Sequence, residues 1–174
     1  MPKRKGIRNG SFRQTTAIVR AAIFNILGNN LEGLRFVDLY AGSGTVGIEA
    51  LKKGANEVIF VEKNPLRCKT VKKLLRESGL EGKARLYCMD AFQFILKMKK
   101  KEEKADVVFL DPPYQSEEIM KILPLFDRGI LTEDSTVIVE HFYKRSLPEK
   151  VGELSLRKRY SYGDTALSIY KISP

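Results

Sequence analysis

The residues best suited to chemistry stand together at 111–114, where Asp111-Pro112-Pro113-Tyr114 follows the apolar run Val107-Val108-Phe109-Leu110. The run reads as a buried strand. Two prolines forbid further strand pairing and hold the backbone extended beyond it. The turn therefore presents a carboxylate, a proline carbonyl and an aromatic ring at a strand's carboxyl end, where open α/β sheets bind ligands. A flat base can stack on Tyr114 while its exocyclic amine donates to Asp111 and to the Pro112 carbonyl. Those two bonds aim the amine lone pair at an electrophile. Asp-Pro-Pro-Tyr is also a plain way to end a strand, since Pro and Asp punctuate turns everywhere. The neighbouring motifs decide between the two.

The first of these is a glycine loop, Asp38-Leu39-Tyr40-Ala41-Gly42-Ser43-Gly44-Thr45-Val46-Gly47, between a strand and a helix. Its glycines permit a sharp turn and close approach of a ligand to the backbone. The spacing of Gly42, Gly44 and Gly47 also matches a dinucleotide fingerprint, with Glu62 about 20 residues beyond. Asp38 separates the readings. A pyrophosphate needs an apolar strand end, whereas a carboxylate there suits a cation, and S-adenosylmethionine carries an ammonium and a sulfonium. Glu62, after Val58–Val61, can take both ribose hydroxyls or simply cap its strand. Asp90 and Ala91 can meet an adenine through the Asp90 carboxylate and the Ala91 N–H; Asp90 is equally a helix N-cap.

These residues need elements to hold them. Thr15 or Thr16 can cap a helix over about 17–28, with Val19, Ile23, Ile26 and Leu27 on one face and Gly28-Asn29-Asn30 as its stop. Strands are predicted at about 35–40, 57–62, 84–88, 106–110 and 135–140. Helices fall between them, near 45–53, 64–78, 91–103 and 116–127. Two further β-like runs, about 153–160 and 165–172, are joined by Tyr162-Gly163-Asp164, too tightly for a helical crossover. The prediction is a Rossmann-like α/β fold: a mostly parallel seven-stranded sheet, helices on both faces, and a C-terminal antiparallel hairpin. That is the class I methyltransferase sheet. Residues 1–16 read as a basic arm and 17–174 as a single domain.

Length and charge bound the possibilities. The 174 residues suffice for one core but not two, and the hydrophobic fraction of 43% is ordinary for a globular chain. No run of 18 apolar residues occurs, so no membrane partner is expected. The basic start, Met1 to Lys5, lacks a following apolar segment, which speaks against a secretory leader and for the cytoplasm. The formal charge is +10, from 31 Lys and Arg against 21 Asp and Glu. Lys3, Arg4, Lys5, Arg8, Arg13 and Arg20 form one acid-free cluster, and Lys144, Arg145, Lys150, Arg157, Lys158 and Arg159 another. Such clusters suit a nucleic-acid partner. The mixed run Lys97 to Lys104 reads as a solvated helix end. Cys68 and Cys88, outside any CxxC, and the single His141 after a strand make no metal set; the cysteines are expected to be reduced thiols in or near the core.

Taken together, DLYAGSGTVGIEAL at 38–51, VEKN at 61–64 and FLDPPY at 109–114 resemble the bacterial small-subunit rRNA (guanine-N2)-methyltransferase family. The resemblance extends to RQTTAIVRAAIFNIL at 13–27 and YGDTALSIYK at 162–171. It implies Asp111, Pro112 and Tyr114 at the acceptor base, and Asp38, Tyr40, Gly42, Gly44, Glu62, Asp90 and Ala91 around S-adenosylmethionine. It places Arg13, Thr15 and Arg20 near the site's entrance, while the basic clusters make Arg4, Arg8, Lys144 and Arg145 available to RNA phosphates. Thr15 can instead be a cap, and Arg20 a surface ion pair. The chain departs from the family at Gln14, where a proline is usual, at Ala21, where a glutamate is usual, and in its shorter lead strand over 1–12.

The expected activity is therefore methyl transfer from S-adenosylmethionine to a guanine N2 amine in small-subunit ribosomal RNA, free or assembled, by a monomer needing no metal. A DNA or RNA adenine-N6 methyltransferase shares the acceptor tetrapeptide. A nicotinamide-dependent oxidoreductase shares the glycines but lacks an obvious catalytic pairing. A non-catalytic RNA-binding protein would leave both motifs without use.

Overall fold

The computed structural model describes residues 16–174. Strands and helices alternate as α1 (Ala17–Ile26), β1 (Arg35–Asp38), α2 (Thr45–Lys52), β2 (Glu57–Val61), α3 (Pro65–Glu77), β3 (Ala84–Tyr87), α4 (Ala91–Lys101) and β4 (Ala105–Leu110). There follow α5 (Glu118–Ile122), β5 (Leu131–Phe142), β6 (Lys150–Val151), β7 (Leu154–Tyr162) and β8 (Thr165–Ile172). Side chains set the helix starts. Thr16 Oγ1 accepts from the Val19 N–H at 3.3 Å. Asn64 Oδ1 accepts from Leu66 at 2.9 Å, with Pro65 in the first turn, and Asp90 Oδ1 accepts from Gln93 at 3.2 Å.

The described strands form one sheet in the order β3-β2-β1-β4-β5-β8-β7-β6. β1 to β5 are parallel, and β8, β7 and β6 add antiparallel at the β5 side. Alternation along each strand splits the core. Phe36, Val107, Phe109 and Ile138 face α1, α2 and α3, packing with Ile23, Val46 and Val71. Val37, Val108, Leu110 and Val139 face α4 and α5, packing with Phe94, Met98 and Ile122. Chain order reverses around β1, whose neighbours are β2 and β4. Crevices open at such a switch point, beyond the carboxyl ends of the strands.

Four expectations need correction. The sheet has eight strands rather than seven, because Lys150–Val151 folds back on the start of β7, with Val151 opposite Leu154. The helix expected over 116–127 stops at Ile122 and tightens into a 3₁₀ turn over Leu123–Leu125, since Pro124 has no N–H to continue the ladder. β5 begins at Leu131, and a register shift between Ala105 and Val107 absorbs its polar start. His141 accordingly lies within β5, not after it. Finally, Cys68 and Cys88 are joined as a disulfide, with Cα atoms 6.0 Å apart. Parallel pairing of β2 with β3 brings the first turns of α3 beside the end of β3, which a 20-residue separation does not reveal.

Gly47 fixes how closely α2 lies on the sheet. A Cβ there would sit 2.2 Å from the Phe60 ring. Gly47→Ala should lower the unfolding free energy by about 1–3 kcal/mol through overpacking, read as a lower urea midpoint with an unchanged m-value.

Candidate active site

Each of the five parallel strands is followed, at or just beyond its carboxyl end, by an acid: Asp38, Glu62, Asp90, Asp111 and, within β5, Glu140. The crevice at the switch point is thus anionic in a chain that is basic elsewhere.

Asp38 ends β1 and is 1% exposed. Its Oδ2 accepts from the Gly47 N–H at 3.2 Å, while Oδ1 is buried without a hydrogen-bond partner among the described residues. Burial pushes the Asp38 carboxyl up to about 7, the nearby Glu62 and Glu140 carboxylates push the same way, and the Gly47 bond opposes them. The loop after Asp38 is pinned on both sides. Leu39 donates to the Phe109 carbonyl at 3.0 Å and Ala41 to the Val61 carbonyl at 2.9 Å. Gly42 and Gly44 take φ of 57° and 83°, and Gly44 stands at the N-cap of α2. The Tyr40 hydroxyl is also buried, near the Glu118 carboxylate, and burial first and Glu118 second raise it well above the usual phenol range.

Glu62 lies just past β2, nearly buried. Its Oε2 accepts from the Asn64 N–H at 3.5 Å and its Oε1 is 3.6 Å from Arg67 Nη1. Asp90 is the N-cap of α4, so that reading of it holds, and Ala91 opens the helix with an N–H in its first turn. The donor side therefore combines a buried carboxylate with a vacant acceptor atom, a glycine cradle, a second carboxylate and a helix start. That set suits a ligand that carries a cation, a diol and a flat amine-bearing ring, as S-adenosylmethionine does.

The Asp-Pro-Pro-Tyr turn begins one strand over. β1 and β4 are neighbours, with Asp38 level with Phe109, so Asp111 leaves β4 next to the glycine loop. Asp111 is half-buried, Pro112 buried and Pro113 exposed. The Tyr114 hydroxyl donates to the Asp164 carbonyl at 2.6 Å, and its ring packs on Phe142 at 5.2 Å, tilted by 51°. The tip of the β7–β8 hairpin thus clasps the Asp-Pro-Pro-Tyr turn. Sequence reasoning missed this clasp and missed Glu140. The second had a visible signal, since Val137-Ile138-Val139-Glu140 repeats the pattern of an apolar strand closed by an acid.

The residues assigned to RNA divide. Arg4, Arg8, Arg13 and Thr15 lie outside the described residues. Arg20 is half-buried on α1, in a groove it shares with Phe24, Asn25 and Lys53. Lys144 is exposed, with Nζ 5.7 Å from the Tyr143 ring centre. Arg145 instead braces two loops, donating to the Ser116 carbonyl at 2.7 Å and pairing with Glu117 at 3.7 Å. His141 is buried and engaged: Nε2 lies 2.8 Å from Ser168 Oγ and Nδ1 2.9 Å from the Phe142 carbonyl. No group of three or more His, Cys, Asp or Glu side chains able to hold a metal occurs among the described residues.

A parallel sheet with an antiparallel C-terminal hairpin, a glycine loop behind Asp38 and Asp-Pro-Pro-Tyr on the next strand define a class I S-adenosylmethionine-dependent methyltransferase. Within that class, the chain belongs to the family described as Conserved hypothetical protein 95, whose model matches residues 3–171. It is 38% identical over 168 residues to the "Putative rRNA methyltransferase YlbH" of Bacillus subtilis, covering 96% of this chain and 91% of that one. It is 29% identical over 162 residues to the Escherichia coli "Ribosomal RNA small subunit methyltransferase D", covering 91% and 79%. Among solved structures, a conserved hypothetical protein of Streptococcus pyogenes superposes with a TM-score of 0.81 at 31% identity, over 89% of this chain and 96% of that one.

Proposed function

We propose that this chain methylates the exocyclic N2 amine of a guanine in small-subunit ribosomal RNA. The observation that carries the reading is the adjacency of the two motifs: the acceptor turn leaves β4 beside the loop that follows β1, at one end of one sheet. The names of the relatives support ribosomal RNA as the substrate, and that of the Escherichia coli protein the small subunit.

S-adenosylmethionine, when bound, supplies an electrophilic methyl group on a sulfonium. The chain's own residues do the rest. Asp38 and Glu62 hold the donor's cationic and sugar ends, and Asp90 with the Ala91 N–H meets its adenine. Asp111 and the Pro112 carbonyl accept the two amine protons, which localises the nitrogen lone pair and stabilises positive charge as it develops there. Tyr114 offers its ring to the base once the base has left its stack. Holding both partners in line accounts for much of the rate. No strong general base is required, because a methylated aryl ammonium is very acidic and Asp111 is at hand for its proton.

Arg4, Arg8, Arg13, Thr15 and Arg20, with Lys144, are proposed to hold RNA, while Arg145 braces the loops beside them. The chain is proposed to act as a monomer on RNA in the cytoplasm. Removing residues 1–13, which carry Lys3, Arg4, Lys5, Arg8 and Arg13, should weaken RNA binding and flatten its dependence on salt, by ~0.7–0.9 in log–log slope for each phosphate no longer neutralised. An unchanged slope assigns the arm to solubility.

The test is transfer of labelled methyl to free small-subunit rRNA, to assembled subunits lacking the modification, and to duplex DNA, followed by nucleoside digestion. N2-methylguanosine from a ribosomal substrate is the expected product. N6-methyladenine overturns the base assignment and keeps the chemistry.

A further inference from the structure

Glu140 is the one acid of the strand-end row with no part in the mechanism above. It is 2% exposed, in the middle of a site whose other members have work to do. β4 and β5 run parallel with Leu110 level with Val139, so Asp111 and Glu140 come next along neighbouring strands at the same height. Alternation places them on one face. Val107 and Phe109 of β4 and Ile138 of β5 all belong to the cluster under α1 and α2, and Asp111 and Glu140 continue those rows. Asp38, two strands away, follows Phe36 on that same face, and the Glu140 charge reaches it. The adjacent His141 points the other way and is fully engaged.

The acceptor turn has a gap in its chemistry that such a residue fills. Asp111 and the Pro112 carbonyl accept from an amine, and both guanine and adenine carry one. What differs is the ring nitrogen beside it. In guanine, N1 carries a hydrogen; in adenine, N1 presents a lone pair. A carboxylate beside Asp111 accepts the first and repels the second, and a buried polar group left facing the wrong partner is a strong source of rejection.

We propose that Glu140 determines base specificity, its carboxylate accepting the N1–H of the guanine whose N2 amine lies at Asp111 and Pro112. This rests on the guanine reading above and adds the residue that enforces it.

The test uses an RNA fragment carrying the methylated nucleotide either as guanosine or as 2-aminopurine riboside, which keeps the 2-amine but has a lone pair at N1. Wild type, Glu140→Gln and Glu140→Ala are compared in single-turnover transfer, with thermal unfolding and S-adenosylmethionine affinity as controls. Glu140→Gln is nearly isosteric and guards against misfolding; its amide can accept from guanine or donate to 2-aminopurine. In Glu140→Ala the guanosine rate should fall about 10–100-fold, the value of a hydrogen bond to a charged group, and in Glu140→Gln by less, while the 2-aminopurine rate holds or rises. The preference for guanosine therefore collapses by about the same factor. Equal losses on both substrates, or a preference unchanged in Glu140→Gln, overturn the role of Glu140 and leave the guanine reading standing. Failure of the wild type to methylate guanosine removes that reading, and this inference with it.

Discussion

Replacing Asp111 with alanine should lower methyl transfer by about 10²–10³-fold or more while S-adenosylmethionine still binds with wild-type affinity, the scale known for removing one preorganised polar partner from a reacting centre. The separation follows from the sheet. The donor's proposed contacts stand on β1, β2 and the start of α4, whereas Asp111 leaves β4, where its proposed contact is the amine alone. Asp111→Asn keeps an acceptor oxygen in place and should recover part of the loss. Single-turnover transfer and calorimetric titration of the cofactor measure the two quantities independently. Full activity in Asp111→Ala would sink the acceptor assignment, and lost cofactor binding would move Asp111 to the donor side.

Asp38→Asn should have the opposite profile, a loss of cofactor affinity that depends on pH. In the free protein the Asp38 carboxyl titrates near 7, raised chiefly by burial. A cation binds the ionised form, so wild-type affinity should climb as pH rises through about 7, and the asparagine variant should lack that climb. Stability runs the other way. The unfolded carboxyl titrates near 3.9, so between roughly 4 and 7 the folded state holds the proton and the unfolded state does not. Raising pH through that window therefore destabilises the wild type relative to Asp38→Asn. Paired urea titrations at pH 5 and pH 8 read this as a difference that grows in the variant's favour; equal differences at both values place the Asp38 titration elsewhere.

The parts legible from the sequence were those encoded locally. Val107 to Leu110 closed by Asp111-Pro112, and Phe36 to Asp38 opening into glycines, state both an element and its end in adjacent residues. Helix starts at Thr16, Asn64 and Asp90 were readable because a cap and its bonded N–H lie within three residues. What stayed hidden depends on partners distant in sequence. Tyr114 bonds Asp164, 50 residues on, and Cys68 meets Cys88 only because β2 and β3 pair. The start of β5 was lost for a different reason: Thr132-Glu133-Asp134 has the composition of a loop, and the strand forms there because β4 offers it a partner at Ala105. Arg145 looked like a free cation since nothing nearby in the chain foretells Ser116 and Glu117.

β8 follows every other strand in chain order, yet it lies inside the sheet, between β5 and β7. A ribosome making this protein therefore releases the piece that completes the sheet after the pieces it completes. Until then β5 carries an open edge, with Val137, Ile138 and Val139 awaiting Tyr170, Ile169 and Ser168. An uncovered apolar edge is a template for wrong pairing, so the nascent chain has reason to be sheltered as it emerges. The Tyr114–Asp164 clasp forms no earlier than the hairpin that contributes Asp164. A protein proposed to work on ribosomes is thus kept from completing its own proposed acceptor site until that hairpin has cleared the ribosome that made it.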